Sequence, residues 1–335
     1  MGAPRVSIIL PVRNAAQTLG PALESLQHQT FTDFEIVAIE NGSTDDTATV
    51  LAQFSSREPR LRVLTLPSPG LPQALNAGLA AARGELIARM DADDEALPRR
   101  LELSVAALEA DAGLSGVGTQ VEITRHDRPV SPNLQRYQQW LNSLTTPELL
   151  FRERYLESPL CHPSVLIRRT ALEAMNGWRA GPFPEDWDLW LRLLESGHSL
   201  RAIEPVLLRW KDHDRRATRE DPRYSERAIV TLKAEHLMKR FAGQPVSICG
   251  AGRVGRQLVR LFNAQSLKVS ELFSVNPRHQ GQQIHGARVL HFDSLQAPAD
   301  RHLLVAVGAM GEREILRAQL RERGWVEGRH FTCVA

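Results

Sequence analysis

Glu85-Leu86-Ile87-Ala88-Arg89-Met90-Asp91-Ala92-Asp93-Asp94 decides how this chain is read. The first six residues form an apolar-rich run of strand length, and three carboxylates follow at once. In extended chain, residues two apart point to the same side, so Asp91 and Asp93 face one way. Three acids crowded at a strand end repel one another. A divalent cation held by oxygen ligands is the natural counter-charge. The competing reading is a solvated acidic turn with Asp94 as the N-cap of a following helix.

Working outward, the same grammar repeats. Arg5–Leu10 is a short apolar run closed by Pro11, and Ala15–Gln29 has helical spacing through Leu19, Leu23 and Leu26. Phe34–Glu40 is a second strand, followed by Asn41-Gly42 and by Ser43 or Thr44 as a helix cap. Leu61–Leu66 is a third strand, and Leu71–Arg83 a helix closed by Gly84 as its C′ residue. Strand and helix alternating at this spacing predict a parallel sheet covered on both faces. Ligands of such sheets bind beyond the carboxyl ends of the strands. The loops Pro11–Asn14, Glu40–Asp46 and Asp91–Asp94 all lie at those ends.

The alternation breaks near residue 125. Residues 125–146 are polar and rich in Gln, Asn and Pro, and read as an irregular excursion. Ser164–Arg168 and Leu200–Trp210 read as extended, Asp186–Leu194 as a helix, and Arg223–Phe241 as a helix bridging to a second domain. From Gln244 the pattern restarts with Val246–Cys249, the loop Gly250-Ala251-Gly252-Arg253-Val254-Gly255 and a helix through Leu258, Leu261 and Phe262. That loop matches a dinucleotide fingerprint in its strand-to-helix setting. The acid the fingerprint wants after the next strand is missing from Ser274–Arg278. The organisation is 1–218 as one α/β domain, 219–243 as a linking helix, and 244–335 as a small Rossmann-like α/β domain that binds a nucleotide or serves docking.

The N-terminal part resembles the family 2 glycosyltransferases of the GT-A fold. The resemblance rests on Val6-Ser7-Ile8-Ile9-Leu10-Pro11-Val12-Arg13-Asn14, Glu40-Asn41-Gly42-Ser43-Thr44-Asp45-Asp46-Thr47, Gly70–Gly78, Ala81–Glu85, Asp91-Ala92-Asp93-Asp94, Cys161-His162-Pro163-Ser164 and Glu185-Asp186-Trp187-Asp188-Leu189-Trp190. It implies a mixed sheet flanked by helices and an inverting transfer from a nucleotide-diphosphate sugar, UDP-linked, to a saccharide or lipid-linked glycan. It also implies a divalent metal, Mn²⁺ or Mg²⁺, which stabilises charge on the leaving diphosphate. By the same resemblance Asp91 and Asp93 hold metal and donor, with His213 as a third metal contact and Arg89 on the donor. Pro11, Asn14 and Glu40 border the base; the family has Asp followed by Asp where this chain has Glu40-Asn41. Asp186 is the base that takes the acceptor proton, with Glu185 beside it. From the residues alone, Pro184-Glu185-Asp186 is equally a helix start whose dipole favours acids. Arg215, Arg216 and Arg219 form a basic segment able to close over the diphosphate. The second domain resembles the nucleotide-binding domains of sugar acyltransferases, with Gly250, Gly252 and Gly255 at the nucleotide.

Composition narrows the alternatives. Lys plus Arg number 41 and Asp plus Glu 39 in 335 residues, a net charge of +2 that makes no case for nucleic acid. Three scattered cysteines, with no CxxC, argue against a disulfide framework or zinc site and fit a reducing cytoplasm. No window approaches a membrane span, which leaves action at the inner membrane face as peripheral. Two other readings are a sugar nucleotidyltransferase and a non-catalytic nucleotide-sugar binder. The first wants a Gly-rich, basic loop after the first strand, which Pro11–Ala16 does not supply.

Overall fold

The computed structural model describes residues 2–335 other than 215, 266, 297, 299, 300 and 310. It divides into two compact units. The first contains residues 2–151, 158–181 and 185–220, and the second contains residues 152–157, 182–184 and 221–335.

The first unit is built on an eight-stranded mixed sheet. Its strands are β1 (Val6–Val12), β2 (Phe34–Asn41), β3 (Leu61–Leu66), β4 (Leu86–Arg89), β5 (Glu95–Ala96), β6 (Leu114–Thr124), β7 (Leu166–Arg168) and β8 (Ser199–Lys211), in the order β3-β2-β1-β4-β7-β6-β8-β5. The first four pair in parallel; β7 enters antiparallel between β4 and β6. Alternate residues of one strand bury on opposite faces, as the pleat requires. Ile8 and Leu10 join a core with Leu19, Leu23, Leu51 and Leu101, while Ile9 joins another with Leu75, Leu189 and Trp190. Helices therefore cover both faces, and the carboxyl ends of β1, β2 and β4 lie side by side at one edge.

One buried polar knot fixes the opposite end of those strands. The Glu35 carboxylate accepts from Ser7 Oγ (2.7 Å), the Arg83 backbone N–H (2.8 Å), Arg83 Nε (2.9 Å) and Arg62 Nη1 (2.8 Å). Gly84 sits within this knot. A Cβ there would lie 2.7 Å from Ser7 N and 2.8 Å from Val6 C. Its glycine serves close backbone approach, and the C′ role expected from the sequence is not what it does. The preceding helix closes earlier, at Leu71–Ala81, with Ala82 extended.

Two other local expectations change. Ser43 and Thr44 do not cap the next helix, which runs Thr47–Ser55. Asp45 Oδ1 accepts the Thr47 N–H instead. The stretch expected to be irregular contains the helix Pro132–Asn142, entered through Ser131, whose hydroxyl accepts the Leu134 N–H, with Pro132 at its first turn. Its polarity hid it, because Leu141 is its one fully buried side chain.

The second unit holds a six-stranded sheet of β9 (Val246–Cys249), β10 (Val269–Ser274), β11 (Gln283–Ile284), β12 (Ala287–His291), β13 (His302–Val305) and β14 (Phe331–Cys333). Their order is β11-β12-β10-β9-β13-β14. All pairings are parallel except β11–β12. The helix expected between domains runs Glu226–Arg240 and falls within this unit.

Glu35 yields a pH test. Burial pushes its carboxyl up, but hydrogen bonds from Arg83, Arg62 and Ser7 outweigh that and hold it down at about 2. A depressed carboxyl stabilises the fold above its unfolded pKa, near 4.5, and loses that contribution as pH falls toward 2. Glu35→Gln should cost about 2 kcal/mol at neutral pH and flatten the acid limb of a urea-stability profile. An unchanged profile would remove Glu35 from the account.

Candidate active site at the carboxyl edge

The three acids after β4 come together as their spacing suggests. One carboxylate oxygen from each of Asp91, Asp93 and Asp94 lies within 4.8 Å of the others. Asp91 and Asp93 are partly exposed, whereas Asp94 is wholly buried. Asp94 is not a helix cap. The chain passes into β5 instead, and the next helix begins at Arg100. Asp94 Oδ1 accepts the Lys211 N–H from β8 (2.9 Å), and its Oδ2 accepts nothing from the described residues. Burial, reinforced by Asp91 and Asp93, drives the Asp94 carboxyl well above the usual range. Hard oxygen donors at this spacing, one of them buried and unsatisfied, fit a divalent cation.

Two buried guanidiniums lie beneath the acids. Arg89, 4% exposed, is ion-paired with Asp91. Arg100, 1% exposed, donates from Nη2 to the Arg89 carbonyl (2.6 Å), and burial pulls its pKa down to about 10. Sequence reasoning missed Arg100, since its helical position reads as a solvated first turn.

Glu185 and Asp186 open the helix Glu185–Glu195. Glu185 is buried and Asp186 half-buried. Asp186 Oδ1 accepts its neighbour's Trp187 N–H (2.8 Å), and Ser158 Oγ lies 3.5 Å from Oδ2. Desolvation, then the charge of Glu185, pushes Asp186 up to about 7. Arg89 connects this pair electrostatically to the acids of β4, because Asp91, Glu185 and Asp94 all stabilise its charge. His162 is buried and held neutral by desolvation and by Arg89. Its Nε2 accepts from Trp178 Nε1 (3.0 Å), so its proton sits on Nδ1, facing Glu185 at 3.9 Å.

The loops after β1 and β2 are tied to each other. Asn14, in the left-handed region at φ 49°, donates its N–H to Ser43 Oγ (3.0 Å) and accepts the Thr44 N–H on Oδ1 (2.8 Å). Glu40, 7% exposed, accepts the Ser43 N–H (2.6 Å) and so braces the turn at Gly42. Pro11 is buried within β1. These residues border the carboxyl edge, and each also has a structural role there.

His213 follows β8 and donates from Nε2 to Asp93 Oδ2 (2.9 Å), joining the acid cluster. The basic segment is largely engaged. Arg219 pairs with Asp212, which Arg125 also holds at 2.8 Å. Arg216 stacks 4.3 Å over Trp210 and lies close enough to counter the charge of Asp94. Arg215 lies outside the described residues.

The glycine loop of the second unit lies between β9 and the helix Arg253–Asn263. A Cβ on Gly250 would meet Ala306 O at 2.4 Å, and one on Gly255 would meet Gly250 O at 1.9 Å. Both glycines are demanded by the unit's own packing. Gly252 alone faces open space, while Arg253 pairs with Glu226 and Arg256 donates to Ala251 O. Among the described residues, no helix is long and apolar enough to cross a membrane.

Comparison with known proteins adds to this geometry. The family model described as Glycosyl transferase family 2 matches residues 7–175, half of the chain. An O-antigen biosynthesis glycosyltransferase of Escherichia coli, WbnJ, is 27% identical over 70% of this chain and 90% of its own. The Staphylococcus aureus TarS structure in complex with UDP-GlcNAc superposes with a TM-score of 0.57 at 18% identity, over 77% of this chain and 72% of that one. The mannosyltransferase PcManGT from Pyrobaculum calidifontis, in complex with GDP-Man and Mn²⁺, gives 0.50 at 21%, over 72% and 64%. The first unit thus has the GT-A fold.

The packing at Gly255 is open to direct test. Gly255→Ala should destabilise the protein by about 2–3 kcal/mol, through overpacking against backbone, whether or not a nucleotide is present. Thermal unfolding reads this out, and a neutral effect would free Gly255 for a ligand-binding explanation.

Proposed function

Because this chain belongs to glycosyl transferase family 2, we propose that it is an inverting, metal-dependent enzyme. It moves a hexosyl or N-acetylhexosaminyl group from a UDP-linked donor to a growing saccharide or lipid-linked glycan. Its relatives' names place some of them in polysaccharide biosynthesis, as with WbnJ. The observation that carries the reading is the placement of Arg89. One buried guanidinium bears on both the β4 acids and the Glu185–Asp186 pair, so the two carboxylate groups share one electrostatic site.

Asp91 and Asp93 would hold the cation, with His213 orienting Asp93 and Asp94 closing the set from below. When bound, such a cation acts as a Lewis acid on the diphosphate leaving group. Asp186 takes the acceptor hydroxyl proton. A carboxyl raised to about 7 is matched to that task at neutral pH, and Glu185 maintains the raise by like charge. The Asn14–Ser43–Glu40 bracket fixes where the base of the donor rests, and Arg216 supplies positive charge beside the diphosphate.

Two measurements test this. Asp93→Ala should abolish the thermal stabilisation given by Mn²⁺ with UDP, a mass-action effect independent of turnover, while leaving the metal-free midpoint within a few degrees. Retained stabilisation would remove Asp93 from the metal set. Asp186→Asn should lower kcat by about 10²–10⁴-fold with donor binding kept. Since the ionised carboxylate is the active form, wild-type kcat/KM should rise with pH through about 7 and level above it. A flat profile, or full activity in the Asp186→Asn variant, would count against the assignment.

A further inference from the structure

At the end of β8, successive residues serve two different sets of partners, all within the first unit. Lys211 gives its N–H to Asp94 Oδ1, and His213 gives its Nε2 to Asp93 Oδ2, each at 2.9 Å. Asp212 and Asp214 instead place their carboxylates on Arg125, at 2.8 and 2.7 Å. Side chains of adjacent residues in extended chain face opposite ways. A grip on Asp212 from one side therefore leaves His213 facing the other, toward the acids.

The grip is built on one guanidinium. Arg125 follows directly on Thr124, the last residue of β6, and Thr124 O accepts the Asp212 N–H at 2.7 Å. The Arg125 side chain is 4% exposed, and all three of its nitrogens donate. Nε reaches Asp127 Oδ1 (2.6 Å), Nη1 reaches Asp212 Oδ2 (2.8 Å), and Nη2 reaches Asp214 Oδ1 (2.7 Å) and Asp127 Oδ2 (3.0 Å). Arg128 adds a bond to Asp214 (2.5 Å), and Arg219 one to Asp212 (2.8 Å) and another to the His213 carbonyl. Asp127, Arg128 and Asp214 are exposed, where ion pairs contribute little stability. What the network does supply is direction, because a planar fork fixes the carboxylates it holds in a way that an ammonium does not.

We infer that Arg125 is a positioning residue for the cation site. By holding Asp212 and Asp214 it sets His213 against Asp93 and the Lys211 amide against Asp94. The inference rests on the reading of Asp93 as a cation ligand. It also gives the start of the stretch after β6, which reads in sequence as an irregular excursion, a part in the site.

The test is a double-mutant cycle on the full chain. Its readout is calorimetric titration of Mn²⁺ into protein saturated with UDP, so turnover plays no part. Arg125→Gln should weaken Mn²⁺ binding about 10–100-fold, the usual cost of losing a group that orients a metal's ligands. In a His213→Ala background the same substitution should change binding by less than about threefold, since the residue it acts through is gone. An equal loss in both backgrounds would overturn the inference, and so would full recovery by Arg125→Lys, which keeps the charge without the fork. In metal-free protein, amide exchange at Lys211 and Asp212 should speed about tenfold or more in Arg125→Gln while β1 stays protected. Unchanged exchange there would equally overturn it. If Asp93→Ala loses Mn²⁺ while Arg125→Gln binds as wild type does, the inference falls and the cation site stands. If Asp93→Ala binds Mn²⁺ as wild type does, both fall. Should Arg125→Gln fail to fold, Asp214→Ala, at a side chain 62% exposed, is judged by the same cycle and exchange criteria.

Discussion

Three carboxylates within 4.8 Å of one another are the constraint that the first unit is organised around. Their repulsion is offset from below by Arg89 and Arg100, two guanidiniums that burial would otherwise penalise heavily. The arrangement is reciprocal: the acids make the buried cations tolerable, and the cations make the acid cluster tolerable. Because the charge of Glu185 also stabilises Arg89, the balance extends to the helix that carries Asp186. The parallel pairing of β1 with β2 and β4 then determines which loops border this charge, and β8 closes it with the Lys211 amide and His213.

What can be read from the chain depends on whether the deciding contacts are local. The strands β1 to β4 and the convergence of their loops are legible, since apolar runs of strand length alternate there with helical spacing. Asp91, Asp93 and His213 are nameable from sequence and do meet. Asp94 reads as a cap and is not one, because its partner, the Lys211 amide, lies 117 residues away. Gly84 reads as a turn residue because its real neighbours, Val6 and Ser7, come from the first strand. Ser43 and Thr44 read as caps, while their hydrogen-bonding partner Asn14 sits on another loop.

The second unit shows the same limit more strongly. Its glycine loop is conspicuous in sequence, yet Gly250 and Gly255 answer to Ala306 and to each other. The pair Glu153–Arg317, separated by 164 positions, leaves no sequence signal at all. Neither residue belongs to a motif, and a lone Glu in a polar stretch reads as solvated surface. Burial reveals it, because a carboxylate 3% exposed must have a cation.

The discontinuity of the second unit bears on how such a protein can be rearranged in evolution. A continuous C-terminal module can be exchanged between genes by one crossover, as a cassette. A unit that has recruited residues 152–157 and 182–184 cannot, because any replacement would arrive without cognate partners for Glu153 and Leu156. The two halves are therefore expected to be inherited together and to change together. Chimaeras would tolerate a splice only where those two short segments travel with residues 221–335.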